Sequence, residues 1–303
     1  MISDWTERVV DSCAADGMCA TACPVGIDTG ALMLTQRAAV RSPRQHQLAA
    51  WAGAHLGILT ATARFALRIA GGQRLPGTRI RLPNVAQPIS ALPVQGQRWG
   101  YFPTCLARIS SSLQDDLAVL CQAAGIALVL PRDADDLCCG QPFASKGFPA
   151  VAGEVRARTL TALGMTELVG VVTDTATCAA QLRPEVPVLD PATFAATVLL
   201  PRLRLPPDLA APWLHPTCAD QQAGWGPALQ AAVPQGRIPA ELGCCGMAGD
   251  KGWSRPGLTA AATARERAAC AGAGVTTSPT CGAALGYEHL WTYLRQRLES
   301  AHG

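Results

Sequence analysis

Short apolar runs alternate with longer amphipathic stretches through the middle of the chain. The runs at residues 99–103, 126–130 and 168–173 are dominated by aromatic and branched aliphatic residues, a composition that predicts β-strands. The stretches at residues 110–124 and 150–163 are each followed by a glycine, which is typical of the end of an α-helix. Strands that alternate with helices in this way predict an α/β fold with parallel sheets.

The same motifs occur twice along the chain, which predicts an internal repeat. Residues 101–105, 138–148 and 173–182 read YFPTC, CCGQPFASKGF and TDTATCAAQL, and residues 214–218, 244–253 and 276–285 read LHPTC, CCGMAGDKGW and TTSPTCGAAL. We therefore predict two tandem domains of CCG type, named after the shared motif, preceded by a small α-helical half-domain of ferredoxin type. The predicted boundaries are 1–42 for the half-domain, 43–97 for a helical segment and proline-rich linker, 98–205 for the first repeat and 206–303 for the second.

Each repeat carries four cysteines at matching positions. The first thiol cluster is Cys105, Cys138, Cys139 and Cys178, and the second thiol cluster is Cys218, Cys244, Cys245 and Cys281. Because these cysteines follow predicted parallel strands, they should meet at the carboxyl edge of each sheet. Four thiolates are the ligand set of one iron–sulfur cluster, which we take as the first hypothesis. Tetrahedral Zn²⁺ also takes four thiolates, although structural zinc sites usually show paired C-x2-C motifs, and inert buried cysteine is the third possibility.

A different motif lies near the N-terminus. The spacing of Cys13, Asp16, Cys19 and Cys23, followed by proline, matches the ferredoxin run C-x2-C-x2-C-x3-C-P with Asp16 in the second cysteine position. Asp16 would then be a carboxylate ligand of a [4Fe–4S] cluster, or would leave that iron without a ligand and favour a [3Fe–4S] cluster. In two-cluster ferredoxins the last cysteine of a run ligates the other cluster. The other ligands of the cluster that Cys23 would serve are then expected on a partner or elsewhere in a longer protein, or the site is degenerate.

Three further residues lie close to the cysteines in the sequence. Lys146 and Lys251 are the only lysines of the chain, and both follow a CCG motif and precede a glycine. We predict that their ammonium groups offset the charge of thiolate-ligated clusters and tune the reduction potential, with common ancestry of the two loops as the alternative. His215 precedes Cys218 by three residues. It is a candidate for cluster tuning or proton relay, against the plainer role of a structural hydrogen-bonding group.

Composition excludes several classes of protein. The net charge of +3 and the scattered arginines argue against nucleic-acid binding. No secretory signal is visible, and no apolar run reaches the ~20 residues that a membrane-spanning helix needs, so the prediction is a cytoplasmic protein with reduced thiols. An amphipathic helix at residues 48–70 could contact a quinone or the inner face of the cytoplasmic membrane, although packing against a neighbouring domain is the simpler expectation.

The motifs CAADGMCATACPVGIDTG, CCGQPFASKGF, LHPTC and CCGMAGDKGW resemble the iron–sulfur half of bacterial FAD-linked D-lactate dehydrogenases of the cytochrome- or quinone-linked kind. The resemblance covers essentially the whole chain. The doubled motif is shared more distantly with the glycolate oxidase iron–sulfur subunit, the lactate-utilisation iron–sulfur protein and heterodisulfide reductase, in which such repeats hold non-cubane clusters. The fuller family pattern ends in C-x2-C, but Thr175 and Ser278 occupy the first of those positions here.

The resemblance implies an oxidoreductase component that passes electrons from FAD on a partner or missing domain to a quinone or cytochrome. A flavin-containing dehydrogenase that oxidises a 2-hydroxy acid, D-lactate above all, would be its partner. No residue of this chain is assigned as a substrate-level catalyst, so we expect no substrate oxidation without the flavin. Two alternatives stay open: a redox protein of heterodisulfide-reductase type that acts on thiols and disulfides, and a degenerate or zinc-binding interaction subunit.

Overall fold

The computed structural model describes residues 5–72, 92–110, 112–164, 167–183, 186–206 and 211–300. Its N-terminal part is helical. After a π-helical turn at Thr6–Val10 it contains α1 (Met18–Ala22), α2 (Thr29–Val40), α3 (Pro43–Ala54) and α4 (Leu56–Ala70). Helix α3 begins where its sequence dictates, because Ser42 and Gln45 form a reciprocal capping box and Pro43 fits the first helical position.

The single helix predicted at residues 48–70 is wrong, because α3 and α4 are separated at His55. The backbone of His55 leaves the helical region, with φ −124° and ψ 37°. Its ring nitrogen Nδ1 bonds the carbonyl of Trp51 at 2.7 Å, so the side chain takes the acceptor that a continuous helix would offer to a backbone N–H. The apolar side chains of Ile58, Phe65 and Ile69 on α4 are largely exposed.

The first sheet is fully parallel, and its strand order is β2-β1-β3-β4. The first repeat contains β1 (Gln97–Phe102), α5 (Cys105–Ser110), α6 (Leu113–Ala123), β2 (Ile126–Val129), α7 (Gln141–Ala144), α8 (Pro149–Leu163), β3 (Val171–Thr173), α9 (Ala176–Leu182), β4 (Val188–Leu189) and α10 (Pro191–Phe194). It also contains a 3₁₀ turn at Ala134–Asp136 and a π-helical turn at Ala195–Leu199. The three strands predicted from apolar runs are all present, and the predicted α/β class with parallel sheets is confirmed.

The second sheet is also parallel, with the order β5-β6-β7. The second repeat contains β5 (Trp213–His215), α11 (Cys218–Ala223), α12 (Gly226–Ala232), α13 (Lys251–Ser254), α14 (Pro256–Ala269), β6 (Gly274–Thr276), α15 (Pro279–Leu285), β7 (Glu288–His289) and α16 (Leu290–Ser300). Both sheets place the strand that precedes the first cysteine beside the strand that precedes the last one. The first and the last cysteine motif of each repeat are thereby brought together.

The two repeats share one hydrophobic core. Tyr101 and Val172 of the first sheet belong to the same buried cluster as Leu214, Val275 and Trp291 of the second. The C-terminal helix α16 lies against α6 of the first repeat. This packing ties the two sheets, so each thiol cluster is held on a scaffold to which both repeats contribute.

The predicted domain boundaries stay a prediction. Three prolines assigned to the linker, Pro76, Pro83 and Pro88, lie outside the described residues, as do residues 207–210 of the proline-rich segment between the repeats. None of the helices in the described part of the chain combines the length and apolar character needed to cross a membrane.

Candidate metal centres

The first thiol cluster begins at a turn that a buried carboxylate holds in place. Asp174, at the end of β3, accepts hydrogen bonds from the Tyr101 hydroxyl at 2.8 Å and from the backbone N–H of Thr104 at 3.0 Å. Its second oxygen accepts from the Thr104 hydroxyl at 2.5 Å. Burial raises the pKa of Asp174. The carboxylate thus fixes the PTC turn that presents Cys105 at the start of α5.

The second repeat builds the same turn with a carboxylate from a different position. Asp220, on α11, accepts from the N–H and the hydroxyl of Thr217 at 2.8 and 2.9 Å and from the Thr277 hydroxyl at 2.5 Å. Burial raises the pKa of Asp220 to about 6. In the aligned repeats, Asp174 is replaced by Thr277 and Asp220 by Ala107. This exchange was not predicted from the sequence, although aligning the two repeats residue by residue shows it.

Each CCG motif folds into a turn that requires its glycine. Gly140 and Gly246 have φ values of +88° and +71°. Their N–H groups donate to the sulfurs of Cys138 at 3.4 Å and Cys244 at 3.3 Å. A Cβ at Gly140 would lie 2.6 Å from the carbonyl oxygen of Ala152. The turn is therefore closed to residues with a side chain, and it directs both vicinal sulfurs to one place.

The structure brings the four thiols of the first cluster together. The sulfurs of Cys139 and Cys178 are 3.1 Å apart, and Cys138 directly precedes Cys139 in the CCG turn. Cys105 is the exposed member of the cluster. Desolvation by the surrounding protein, followed by the charge of Cys138, raises the pKa of its thiol to about 11. The pKa of Cys138 is also raised, first by its hydrogen bond with Cys139 and then by burial.

The second cluster repeats this arrangement. The sulfurs of Cys245 and Cys281 are 3.1 Å apart, and Cys244 directly precedes Cys245 in the CCG turn. The pKa of Cys218 is raised by its hydrogen bond with Cys244 and by burial. In both clusters, therefore, the second cysteine of CCG touches the last cysteine of the repeat. All eight predicted ligands of the two repeats occupy matching places.

The chemistry of these donors fits a metal–sulfur group. Crowded, partly buried thiols stay protonated when nothing compensates their charge, and binding of a cationic metal core displaces those protons. Among the residues that the structure describes, no group of three or more His, Cys, Asp or Glu side chains forms a ready-made site for one metal ion. The 3.1 Å between the paired sulfurs is shorter than the sulfur–sulfur separation around either tetrahedral Zn²⁺ or a four-iron cluster, so this distance does not distinguish the two groups.

Comparison with known protein families addresses the first repeat directly. Residues 99–183 match the family model of the cysteine-rich domain, CCG. The match runs from β1 to the end of α9 and contains all four thiols of the first cluster. No curated protein and no solved structure matches the chain. The predicted CCG domain is thus confirmed for the first repeat, whereas the resemblance to D-lactate dehydrogenases stays a prediction.

A buried cation lies beside the thiols of this cysteine-rich domain. Arg108 is 4% exposed and donates to the carbonyls of Leu137, at 2.6 Å, and Ala134. Its charge acts to lower the pKa of both Cys105 and Cys138. Gln221 takes its place in the second repeat. Arg108 is thus a cation adjacent to the first cluster that was not predicted from the sequence.

The two lysines line a cleft of about 680 Å³ between the cysteine-rich domain, the second repeat and the N-terminal helices. Lys146 forms a 2.6 Å ion pair with Asp250, and Lys251 donates to the carbonyl of Asp11. The pKa of Lys251 is lowered by burial and by the nearby charge of Arg37. These contacts join the three parts of the chain, and tuning of a cluster by the lysines stays a prediction.

Arg37 forms the inner wall of the same cleft and is 1% exposed. Its guanidinium donates to the carbonyls of Val10, Cys13 and Ser145, so one cation links the N-terminal run to the loop after the first CCG. Burial lowers its pKa. No local pattern distinguishes this arginine from the others, since its partners are carbonyls distant along the chain.

His215 is buried, as its strand position requires. Its Nδ1 lies 2.9 and 3.0 Å from the two carboxylate oxygens of Glu266, while Nε2 has no hydrogen-bond partner among the described residues. The contact with Glu266 supports the structural role that we weighed for this residue. Tuning of a cluster by His215 stays a prediction.

The residues of the N-terminal ferredoxin-like run each have neighbours of their own. Cys19 lies 3.5 Å from the Asp28 carboxylate, and the pKa of Cys23 is lowered by the backbone N–H groups of Ile27 and Val25. Cys13 accepts from the N–H of Ala15 at 3.3 Å. The carbonyl of Asp16 accepts from the side-chain amide of Gln222 on α11. The metal site predicted at Cys13, Asp16, Cys19 and Cys23 stays a prediction.

Proposed function

We propose that the chain is the iron–sulfur electron-transfer module of a flavin-dependent 2-hydroxy-acid dehydrogenase, with D-lactate as the substrate. The observation that carries the proposal is the doubled set of four thiols, each set on a turn that a buried carboxylate fixes. The cysteine-rich domain at residues 99–183 supports a redox role for the first set. The resemblance of the motifs to the iron–sulfur half of D-lactate dehydrogenases supports the choice of substrate.

The residues of each cluster would hold a [4Fe–4S] group, which when bound gains and loses one electron at a time. Cys138, Cys139 and Cys178 are buried, and the turn that presents Cys105 is anchored by Asp174. Such a fixed environment limits the structural rearrangement that accompanies a change of charge. Arg108 places a positive charge beside the first cluster, which stabilises the reduced state there.

Substrate oxidation belongs to the partner in this proposal. A flavin-containing dehydrogenase would take the hydride from the 2-hydroxy acid, and a quinone or cytochrome would receive the electrons. The exposed apolar side chains Ile58, Phe65 and Ile69 on α4 offer a surface for contact with one of these partners. A cytoplasmic location, including the inner face of the cytoplasmic membrane, is part of the same proposal.

Electron transfer can be tested with the chain alone. Anaerobically purified protein is mixed with photoreduced FMN, and bleaching of the visible absorption of the clusters is followed, after which a soluble quinone is added. We expect bleaching by FMN and recovery with quinone. Cys139→Ser and Cys245→Ser should each lose about half of the signal, because each removes one of two clusters. Cys121→Ala, a buried cysteine of α6 outside both clusters, is the matched control.

An iron-loaded wild-type protein that FMN cannot reduce would refute the electron-transfer role. The choice of D-lactate is tested separately by adding a flavin-containing D-lactate dehydrogenase. Cluster reduction that depends on D-lactate and on that flavoprotein supports this choice. Equal reduction with other 2-hydroxy acids would refute D-lactate as the specific substrate and leave 2-hydroxy acids as the substrate class.

The 3.1 Å contacts of Cys139 with Cys178 and of Cys245 with Cys281 favour a second candidate, thiol–disulfide exchange. In that reaction the two thiols of a pair form an S–S bond and give up two electrons and two protons. A substrate disulfide accepts both and is reduced to two thiols. Metal-free protein that cycles between dithiothreitol and a small disulfide would support this candidate, and the Cys178→Ser and Cys281→Ser variants should lose it. Absence of such turnover in metal-free wild type would exclude it.

A further inference from the structure

The cleft that the two lysines line is strongly cationic. It lies between the N-terminal helices and the segments that follow both CCG motifs. Its charged lining consists of five cations and two carboxylates, namely Arg37, Arg41, Lys146, Lys251, Arg255, Asp11 and Asp250. The surplus of three positive charges equals the net charge of the whole chain, +3. The rest of the chain is thus balanced in formal charge, and the cleft carries the excess.

Ion pairs within the protein neutralise only part of this charge. Asp250 pairs with Lys146 at 2.6 Å, and Asp11 pairs with Arg41 at 3.4 Å. The guanidinium of Arg255 has neither a hydrogen bond nor an ion pair with any residue that the structure describes. Both carboxylates of the cleft are therefore engaged, and Arg255 keeps its donors for a ligand.

Two of the cations lie deeper in the cleft. Arg37 is 1% exposed, and its guanidinium donates to backbone carbonyls. Lys251 is partly buried, and its donation to the Asp11 carbonyl uses one of three N–H donors. The pKa of Lys251 is lowered first by burial and then by the charges of Arg37 and Lys146. These cations repel one another, and a bound anion would relieve that repulsion.

Apolar side chains line the same cleft. Leu48 and Ala52 come from α3, Phe143 comes from α7, and Phe148 directly precedes α8. The volume of about 680 Å³ is typical of a site for a small organic molecule. A lining that joins aromatic and aliphatic surface to several positive charges matches a ligand with an apolar part and a negative part.

We propose that this cleft binds a small organic anion that joins a phosphate or carboxylate head group to an apolar body. The head group would accept from Arg255 and Lys251, and the body would lie on Phe143 and Phe148. The surplus of positive charge favours a doubly charged phosphate over a singly charged carboxylate. The proposal goes beyond the electron-transfer role and does not depend on iron, because no cysteine of the two thiol clusters is among the described residues that line the cleft.

Isothermal titration calorimetry of the full chain, purified anaerobically, tests the proposal with three probes of similar shape. 1-Naphthyl phosphate and 1-naphthoate carry the two head groups, and 1-naphthol lacks the charge. The variants Arg255→Gln and Lys251→Gln each remove one proposed contact, and circular dichroism checks their fold. Arg265→Gln, at an exposed arginine of α14 that does not line the cleft, is the matched control for loss of charge.

We expect 1-naphthyl phosphate to bind at a single site and more tightly than 1-naphthoate. Binding of 1-naphthol should be weaker by about 10-fold or more, because it makes no charged hydrogen bond. Arg255→Gln and Lys251→Gln should each weaken binding of the phosphate by about 10-fold for the same reason. Arg265→Gln should bind as the wild type does, and added salt should weaken binding of the phosphate more than that of 1-naphthol.

Absence of binding of both anions to the folded wild type at millimolar concentration would overturn the proposal and leave the electron-transfer role intact. Equal binding of 1-naphthol would also overturn it, because the site would then be merely apolar. Binding that Arg255→Gln and Lys251→Gln both leave unchanged would place the anion elsewhere and overturn it too. Tighter binding of 1-naphthoate than of the phosphate would support the site with a carboxylate as its head group. Failure of the chain to bind iron and sulfide would refute the proposed function without affecting the cleft.

Discussion

The buried imidazole of His289 makes the stability of the chain sensitive to acid. His289 ends β7 and is 6% exposed. Its Nε2 lies 3.1 Å from the carbonyl of Asp174, and its Nδ1 accepts from the N–H of Trp291 at 3.2 Å. Because a carbonyl can only accept, Nε2 carries the proton and the neutral ring satisfies both contacts. A second proton on Nδ1 would oppose the N–H of Trp291.

The magnitude follows from the shift in pKa. Burial lowers the pKa of His289 to about 4, against about 6.5 in the unfolded chain. The folded-state pKa of this base is depressed, so its contribution is fully present above pH 6.5 and is lost as the pH falls toward 4. At 1.36 kcal/mol per unit, the total loss is about 3 kcal/mol, of which about 2 kcal/mol falls between pH 7 and pH 5.

Urea denaturation of the wild type and of His289→Gln at pH 7, 6 and 5 measures this effect. Glutamine does not titrate, so the free energy of unfolding of the wild type relative to the variant should decrease by about 2 kcal/mol from pH 7 to pH 5. The comparison with a variant is needed because the buried acids Asp174 and Asp220, whose pKa values are raised, respond to acid in the opposite direction. The exposed His46 provides the control variant, His46→Gln.

A difference between wild type and His289→Gln that changes by less than about 0.5 kcal/mol over this range would refute the reasoning. It would mean that the imidazole reaches water or gains an acidic partner when it is protonated. The contact between β7 and the Asp174 turn would then not be a neutral hydrogen bond.

Three further predictions concern the packing that supports the thiol clusters. Asp174→Ala should destabilise the protein by about 2–4 kcal/mol in urea denaturation, because it leaves buried donors unpaired, and adding Tyr101→Phe should recover part of that loss. The ion pair of Lys146 with Asp250 is about half-exposed, so a double-mutant cycle of Lys146→Met and Asp250→Asn should give a coupling energy below about 1 kcal/mol; a larger value would show a desolvated pair. Leu117→Ala, at a fully buried position of the shared core, should lower the free energy of unfolding by about 2–5 kcal/mol, and a loss confined to the first repeat would contradict a common core.

The local sequence signals predicted the strands of the first sheet well. Apolar runs bounded by glycine and by PTC marked β1, β2 and β3, because these strands are buried and their side chains must be apolar. The convergence of distant cysteines followed from one topological rule, that parallel strands end at the same edge. The repeat also contained the exchange of Asp174 for Asp220, which a position-by-position comparison of the motifs would have revealed.

Sequence patterns are least informative where contacts between distant residues decide the structure. The ferredoxin-like spacing did not indicate that Gln222 donates to the Asp16 carbonyl and so joins the N-terminal run to the second repeat. The spacing of the lysines after CCG did not indicate their contacts with Asp250 and Asp11. These contacts depend on how the N-terminal helices pack on both repeats, which no local pattern encodes.

The break at His55 has a similar origin. Residues 48–70 have helical periodicity throughout, so the sequence pattern alone favours one long helix. The competition of a single imidazole for the Trp51 carbonyl divides it. The division turns α4 into a separate helix with its own exposed apolar side chains.

A count of iron and acid-labile sulfide in the anaerobically purified chain tests the electron-transfer role most directly. We expect about eight irons with matching sulfide if both thiol clusters hold a four-iron group. The Cys139→Ser variant should keep about half of each. Little iron and no sulfide, even after reconstitution, would contradict the electron-transfer role and would assign the eight thiols to zinc binding or to thiol–disulfide exchange.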